Sequence, residues 1–527
     1  MFSKTIRILT MLTIIAATFA YTPVAMADDI SETKGFRKGV TLAGIREHQA
    51  AFQSIANANN GTRLAGTNGY DASAQYVYDK MAAAGYNVSF QEFPFAFFQE
   101  LTPAILDQTA PGSVSYTYNV DYLTMSYSGS GDVTAGVTAV DTTATAGAST
   151  SGCESSNFAG FPAGNIALIQ RGTCTFAAKA VNAQAAGASG VIVFNQGTAG
   201  RVDLFGGTLG SPVVTIPVVG TSFTLGVELY GLIGNGLQLH LVTDTISEIR
   251  TTRNVIAETP TGDPNRVIVI GAHLDSVDAG PGINDNGSGS ATILEVAEVF
   301  AQQGRVPRNK LRFMWYGAEE SVLLGSIFYV NSLSQPELDQ IELMLNFDMI
   351  GSPNFVRFVY DGNNSAFPPG PDGVQPGPAG SGAIEQVFLD YFASQGLKNA
   401  PTPFNGRSDY GPFIAPSIGI PAGGLFTGAE GLKTAQQVID YGGIEGAQYD
   451  PCYHQACDTF AGTGGGTAPG LGLTALDQMS DAVAHSVLLF SKRNFDQAPL
   501  VDPVVAARAA SSNGRSLHTD DQAREEK

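Results

Sequence analysis

Four β-branched residues, Val267 to Ile270, run straight into a histidine and then a glycine-rich turn, and that arrangement leaves this chain few folds to adopt. The stretch reads VIVIGAHLDSVDAGPGINDNGSG over 267–289. Such an unbroken apolar run marks a short strand buried on both faces, as in a parallel sheet. It ends at Gly271 and Ala272, so His273 stands where a parallel strand opens into the crevice above its carboxyl end. Asp285 lies in the turn INDNGSGS, which leads into the helical spacing Ile293, Val296, Ala297 and Phe300. Strand, turn and helix imply an α/β fold with a His and an Asp on one rim. Asp275 is close enough to accept the second imidazole N–H and so fix which nitrogen faces a metal. A lone His–Asp pair is equally at home as a structural contact. The residues downstream decide between the two.

A chain of 527 residues exceeds a single core and predicts two or three domains. Lys4 and Arg7, the apolar run Ile8 to Ala20 and the small-residue site Ala25-Met26-Ala27 read as a secretory signal over 1–27. No later apolar stretch is long enough to span a bilayer, so a soluble, secreted protein, extracellular or periplasmic, is expected. The formal charge of −20, without a Lys/Arg-rich tract, argues against nucleic acid or anionic membrane as partner. Four cysteines fall into two local pairs, Cys153 with Cys174 and Cys452 with Cys457. In an exported chain disulfides are the default for such pairs.

Along the chain, a helix is predicted over 71–84 and a strand over 87–93. Between 129 and 245 the composition shifts to Gly, Thr, Val and Ala, with the short strands NIALIQRG, GVIVFN and PVVTIPVVG and one helix over 177–186. This reads as a small β-rich module inserted into a larger domain, because strand–helix alternation resumes at Arg253. His240 stands alone there and reads as structural. A second strand, Leu311 to Tyr316, runs out into Glu319 and Glu320; a third, Leu343 to Phe347, into Asp348. A Gly/Pro-rich loop over 361–382 precedes a helix over 384–394. Beyond 495 the apolar content is too low to fold, so 496–527 is expected to be a disordered tail.

Strand ends alone therefore give His273, Asp285, Glu319, Glu320 and Asp348 along one rim. Tyr453-His454, held between Cys452 and Cys457, supplies a second imidazole. Two histidines and three carboxylates, with one carboxylate spare, form the inventory of a two-zinc site. No HExxH or GxSxG is present, so the single-zinc helix protease and the serine hydrolase elbow have no support. Adjacent residues cannot easily bind one metal together. We assign Glu320 to the metal and leave Glu319 free as a general base for hydrolysis.

The motifs GAHLDSV, GINDNGSG, YGAEESVLLGS, NFDMIG, GRSDYGPF, GGLFTGAE and DPCYHQACDT, in this order over about 253–489, resemble those of the secreted di-zinc (co-catalytic) aminopeptidases. GTRLAGTNGYDASAQYV adds a weaker match near the N-terminus. The inserted segment, through GNIALIQRGTCTFAAKAVNAQAAGASGVIVFN, resembles a protease-associated (PA) domain. The resemblance implies a three-layer, doubly wound mixed sheet, with the peptidase domain in two parts, 28–128 and 246–495, around a PA insert at 129–245. It implies that His273 and Asp348 bind one zinc, Glu320 and His454 the other, and that Asp285 bridges them. Glu319 is then the base and Tyr453 the phenol that steadies the oxyanion. Contacts to the substrate's free amine match Glu319, Asp348 and the backbone around Arg407. Some relatives hold calcium near the last helix, where Asp477 and Asp481 offer either a calcium site or two solvated carboxylates. Peptide or protein N-termini are the expected substrate of a monomer. The alternatives are a carboxypeptidase or dipeptidase of the same fold, a single-zinc glutaminyl cyclase-like transferase, or a binding protein on an inactive enzyme fold.

Overall fold

The computed structural model describes residues 23–370, 373–462 and 471–503. Apart from residues 23–27, which begin the helix Pro23–Arg37, the expected leader lies outside the described residues, as does the tail beyond 503. No helix among the described residues is long and apolar enough to cross a membrane.

The apolar run at 267–270 forms the middle of the strand Asp263–His273, which pairs in parallel with Asn309–Tyr316 on one side and Ile341–Phe347 on the other. Ala422–Phe426 extends the parallel set beyond Ile341–Phe347, and Phe358–Tyr360 joins antiparallel at that edge. Both faces of the central strand are covered. Ile268, Ile270 and Ala272 pack with residues of the helices Leu42–Ala58, Gly287–Gln302 and Leu471–Lys492. Val267 and Val269 face the opposite core, built with Tyr329, Val330, Phe413 and Ile414. Helices on both sides make three layers, which is why the strand has no polar alternation. Each fully buried Val or Ile of the run contributes roughly 1.5–3 kcal/mol relative to exposure.

Two long strands, Asn87–Ala110 and Gln238–Glu258, pair antiparallel along their whole length, from Asn87↔Glu258 to Ala110↔Gln238. They carry the sheet without a break from the larger domain into the insert. The strand expected to stop at Phe93 continues because Phe93, Phe95 and Phe97 keep alternating into the core, although Pro94 stands among them. Pro94 has no N–H for a ladder, and that is what made the strand look finished. In the insert, Gly131–Ala139, Ile166–Gln170, Gly190–Phe194 and Val218–Thr221 form a parallel set. Besides the expected helix, observed as Phe176–Ala185, a second helix spans Phe223–Ile233, its start capped by Ser222. The cysteines are bonded Cys153–Cys174 and Cys452–Cys457. His240 meets Asp132 at 2.8 Å on neighbouring strands, a structural contact.

The tail boundary at 496 is too early. Leu500 packs against the main core, and the Asp502 carboxylate accepts the amides of Gly380 and Ala383 at the start of the helix Ser381–Ser394. One carboxylate at a helix N-terminus and one leucine suffice to fix a polar segment whose composition looks unstructured.

The last helix carries a pH-dependent contact. His485 is buried against Tyr391 and 2.8 Å from the Thr33 hydroxyl, and burial, with Arg37 nearby, pushes its imidazole down to about 4. The folded chain thus favours the neutral ring, and the unfolded chain binds more protons between pH 6.5 and 4. Stability from this residue is complete above about pH 6.5 and is lost as pH falls through that window, by on the order of 3 kcal/mol. His485→Phe is expected to flatten that part of a melting-temperature-against-pH curve; an unchanged slope would remove His485 as its source.

Candidate active site

In the sheet register Tyr316 lies opposite His273 and Asn346 opposite Gly271, so the three parallel strands end level. The residues just past those ends then share one crevice. His273 Nε2 lies 3.2 Å from Asp285 Oδ1, 3.4 Å from Asp348 Oδ1 and 3.8 Å from Glu319 Oε2. His454 Nε2 lies 3.0 Å from Glu320 Oε2 and 3.3 Å from Asp285 Oδ2. The two oxygens of Asp285 therefore face two different imidazoles. All six residues gathered along the sequence come together here.

The donor set fits metal ions. Glu320 Oε1 and Asp348 Oδ1 are buried without a hydrogen-bond partner, the condition of carboxylate oxygens that have a cation to meet. Imidazoles with carboxylates, and no thiolate, suit zinc. Charge crowding has clear effects on the titration of the protein groups. Burial pushes the Glu319 carboxyl well above its ordinary value, with Glu320, Asp409 and Asp348 adding to it against the pull of His273. Burial and Asp285 push Glu320 up to about 7, although His454 opposes. Asp285 moves the other way: burial works against its charge, but the two imidazoles hold it below the usual carboxylate range. For His454, burial is outweighed by Asp285 and Glu320, which raise it to about 10.

Four residues that hold this arrangement did not stand out in the sequence. Arg63 is fully buried and donates to the carbonyls of Leu274, Pro281 (2.8 Å) and Gly282 (2.7 Å), gripping the 274–282 turn from below. The Asp458 carboxylate accepts the amides of Asn284 (2.7 Å) and Asp285 (2.9 Å). Ser408 donates to Asp348 Oδ2 at 2.6 Å and is itself held by Asn346. Their partners are backbone groups or distant side chains, which leave no spacing to read. Asp458 does follow directly after the cysteine pair, and Arg63 lies in the GTRLAG segment; position was the only signal.

Asp275 acts differently from expectation. Its carboxylate accepts the amides of Glu319 (3.2 Å) and Glu320 (3.3 Å), while His273 Nδ1 faces the Asp275 backbone carbonyl at 3.2 Å and the carboxylate only at 3.7 Å. It therefore sets the turn carrying the two glutamates more than it orients the imidazole. That turn is strained: Ala318, Val322 and Leu323 have φ of 56°, 69° and 60°, left-handed values that cost of order 1–2 kcal/mol for each non-glycine residue.

Tyr453 stacks on His454 with ring centroids 3.8 Å apart, and its hydroxyl accepts from Arg407 Nη2 at 3.2 Å. The other arm of that guanidinium meets Glu430 at 2.7 Å, and the Arg407 amide is taken by Asn405. The Arg407 side chain thus steadies Tyr453. Asp477 and Asp481 sit on the helix Leu471–Lys492, where Asp481 faces Arg37 at 3.9 Å.

Comparison with known proteins identifies the relatives of this chain. The profile of Peptidase family M28 matches residues 254–476, and that of the PA domain residues 133–229. The chain is 46% identical over 491 residues to a protein named aminopeptidase from Pseudomonas aeruginosa, covering 93% of this chain and 87% of that one. It is 38% identical to leucine aminopeptidase 2 of Trichophyton tonsurans, over 90% of this chain and 87% of the relative. Among solved structures, an aminopeptidase from Aneurinibacillus sp. strain AM-1 superposes with a TM-score of 0.61 at 25% identity, covering 90% of this chain and 98% of the other. A zinc aminopeptidase from Bacillus subtilis shares the fold, with a TM-score of 0.55 at 23% identity over 88% and 97% of the two chains.

Proposed function

The chain belongs to Peptidase family M28 and carries an inserted PA domain, and from this premise we propose that it is an aminopeptidase that removes the N-terminal residue of peptides at a pair of zinc ions. One observation carries the reading: the two oxygens of Asp285 address His273 and His454 separately, at 3.2 and 3.3 Å. A carboxylate so placed is suited to span two cations. His273 and Asp348 would hold one, and Glu320 and His454 the other.

When bound, two zinc ions would polarise the scissile carbonyl and make an attacking water more acidic. The protein's own groups do the rest. Glu319, left free of the metals, takes the proton of the water and passes it to the departing amine. Its burial among carboxylates raises its affinity for that proton. The Tyr453 hydroxyl, held by Arg407 on one side, is free to donate its proton to the carbonyl oxygen as negative charge grows there. The Glu319 and Asp348 carboxylates offer acceptors for the α-ammonium of the substrate, which is how a free N-terminus would be selected. The two disulfides, together with the Lys4/Arg7 and apolar leader, support an exported protein.

The test compares a leucyl anilide with its N-acetylated form, with and without a chelator. The free amine substrate is expected to be hydrolysed, the acetylated one not, and chelation to abolish turnover. Equal hydrolysis of the blocked substrate would overturn the aminopeptidase reading.

A further inference from the structure

A second group of metal-type donors lies away from this crevice, where the helix Leu42–Ala58 crosses the helix Gly287–Gln302. His48 is 1% exposed, and its Nε2 has no hydrogen-bond partner. That nitrogen points between two carboxylates one turn apart, 3.8 Å from Glu295 Oε2 and 3.3 Å from Glu298 Oε2. From these donors we infer that His48, Glu295 and Glu298 form a further cation site, which takes one divalent ion of the zinc class and clamps the two helices together.

Three features of the site support this. The spacing is that of an ion's shell: ligands about 2.0–2.1 Å from a tetrahedral zinc lie about 3.4 Å from one another, and the same Nε2-to-carboxylate separations, 3.0 to 3.8 Å, recur at His273 and His454. The imidazole is oriented from behind, since Nδ1 lies 2.8 Å from the Tyr76 hydroxyl; a proton on Nδ1 directed at that oxygen leaves the Nε2 lone pair for a metal. Charge also calls for a cation. Glu47, Glu295 and Glu298 bring three negative charges, and Lys80, 3.7 Å from Glu298 and 3.9 Å from Glu47, returns one. A divalent ion balances the remaining two. Glu295 keeps its other oxygen on the Thr41 amide at 3.2 Å, so the carboxylate is fixed before any ion arrives.

The ion would serve the architecture. Glu295 lies eight residues after Gly287, the first residue of its helix, about 12 Å along the axis at 1.5 Å per residue. The partner helix leads directly into Asn59–Arg63, whose arginine grips the 274–282 turn. A clamp between these helices would add rigidity to the scaffold behind the crevice, where Arg63 alone already holds the turn, without touching substrate.

Zinc per chain, measured on the purified full-length protein after dialysis from excess zinc, tests the proposal against His48→Asn and Glu298→Gln. The parent is expected to retain one equivalent more than either variant, while the leucyl anilide is hydrolysed within about twofold in all three. Identical zinc content in parent and variants would overturn the site and leave a buried ion-pair cluster in its place. Should His48→Asn not fold, Glu298→Gln decides alone, because that side chain is 22% exposed and tolerates the amide. Cobalt loading gives an independent reading: one equivalent of visible absorption is expected to disappear in Glu298→Gln, and its persistence would equally overturn the site. The comparison is a difference between parent and variant, so it stands apart from how many ions the catalytic crevice holds.

Discussion

Glu319→Gln is expected to lower kcat by about a thousandfold or more while leaving the metal content of the crevice intact. The change keeps shape and removes the proton-carrying function assigned to the side chain, accepting a proton and returning it; positioned acid–base groups contribute about 10²–10⁴-fold. Metals are expected to stay because the residues assigned to them are His273, Asp285, Glu320, Asp348 and His454, and Glu319 Oε2 is the most distant of the three carboxylate oxygens around His273 Nε2, at 3.8 Å. KM should change little, apart from the share of amine binding that Glu319 carries. Measuring kcat, KM and zinc per chain together separates base from ligand. Activity within tenfold of the parent, with metal intact, would place the base elsewhere. Loss of zinc along with activity would make Glu319 a ligand.

Arg63→Met is expected to be the most damaging substitution outside the crevice. The guanidinium is wholly buried and donates to three backbone carbonyls, and burial lowers it to about 10 even with Asp275, Asp458 and Asp285 raising it. Methionine nearly matches the volume but offers no donor. Three buried carbonyls then lack partners, at about 1–3 kcal/mol each, of which relaxation of the 274–282 turn recovers a part. A destabilisation of about 3–5 kcal/mol follows. Because the same turn carries Asp275 and leads to Asp285, zinc affinity should fall as well, and excess zinc should rescue part of the activity. A melting temperature within about 2 °C of the parent, with unchanged zinc affinity, would show that Arg63 does not hold the turn.

The site was legible in the chain where a residue type and a strand end coincide. Val267 to Ile270, Leu311 to Tyr316 and Leu343 to Phe347 are apolar because both faces of each strand are covered, and each runs directly into His273, Glu319-Glu320 or Asp348. Tyr453-His454 was legible through its setting between two cysteines. What stayed hidden were contacts to the backbone. Asp458 binding the amides of residues 284 and 285, Asp275 binding those of 319 and 320, and Arg63 binding three carbonyls all use groups that every residue carries. Pro94 concealed the length of the ribbon, and low apolar content concealed the docking of Leu500 and Asp502.

By itself the sequence determined the α/β alternation and the kinds of side chain at the rim, because periodicity and composition are local properties set by burial. The tertiary structure alone decided that Arg407 attends Tyr453 and that His48 aims at two glutamates nearly 250 positions later. Those outcomes depend on distances of a few ångströms between segments far apart along the chain, and only the packing of sheet and helices sets them.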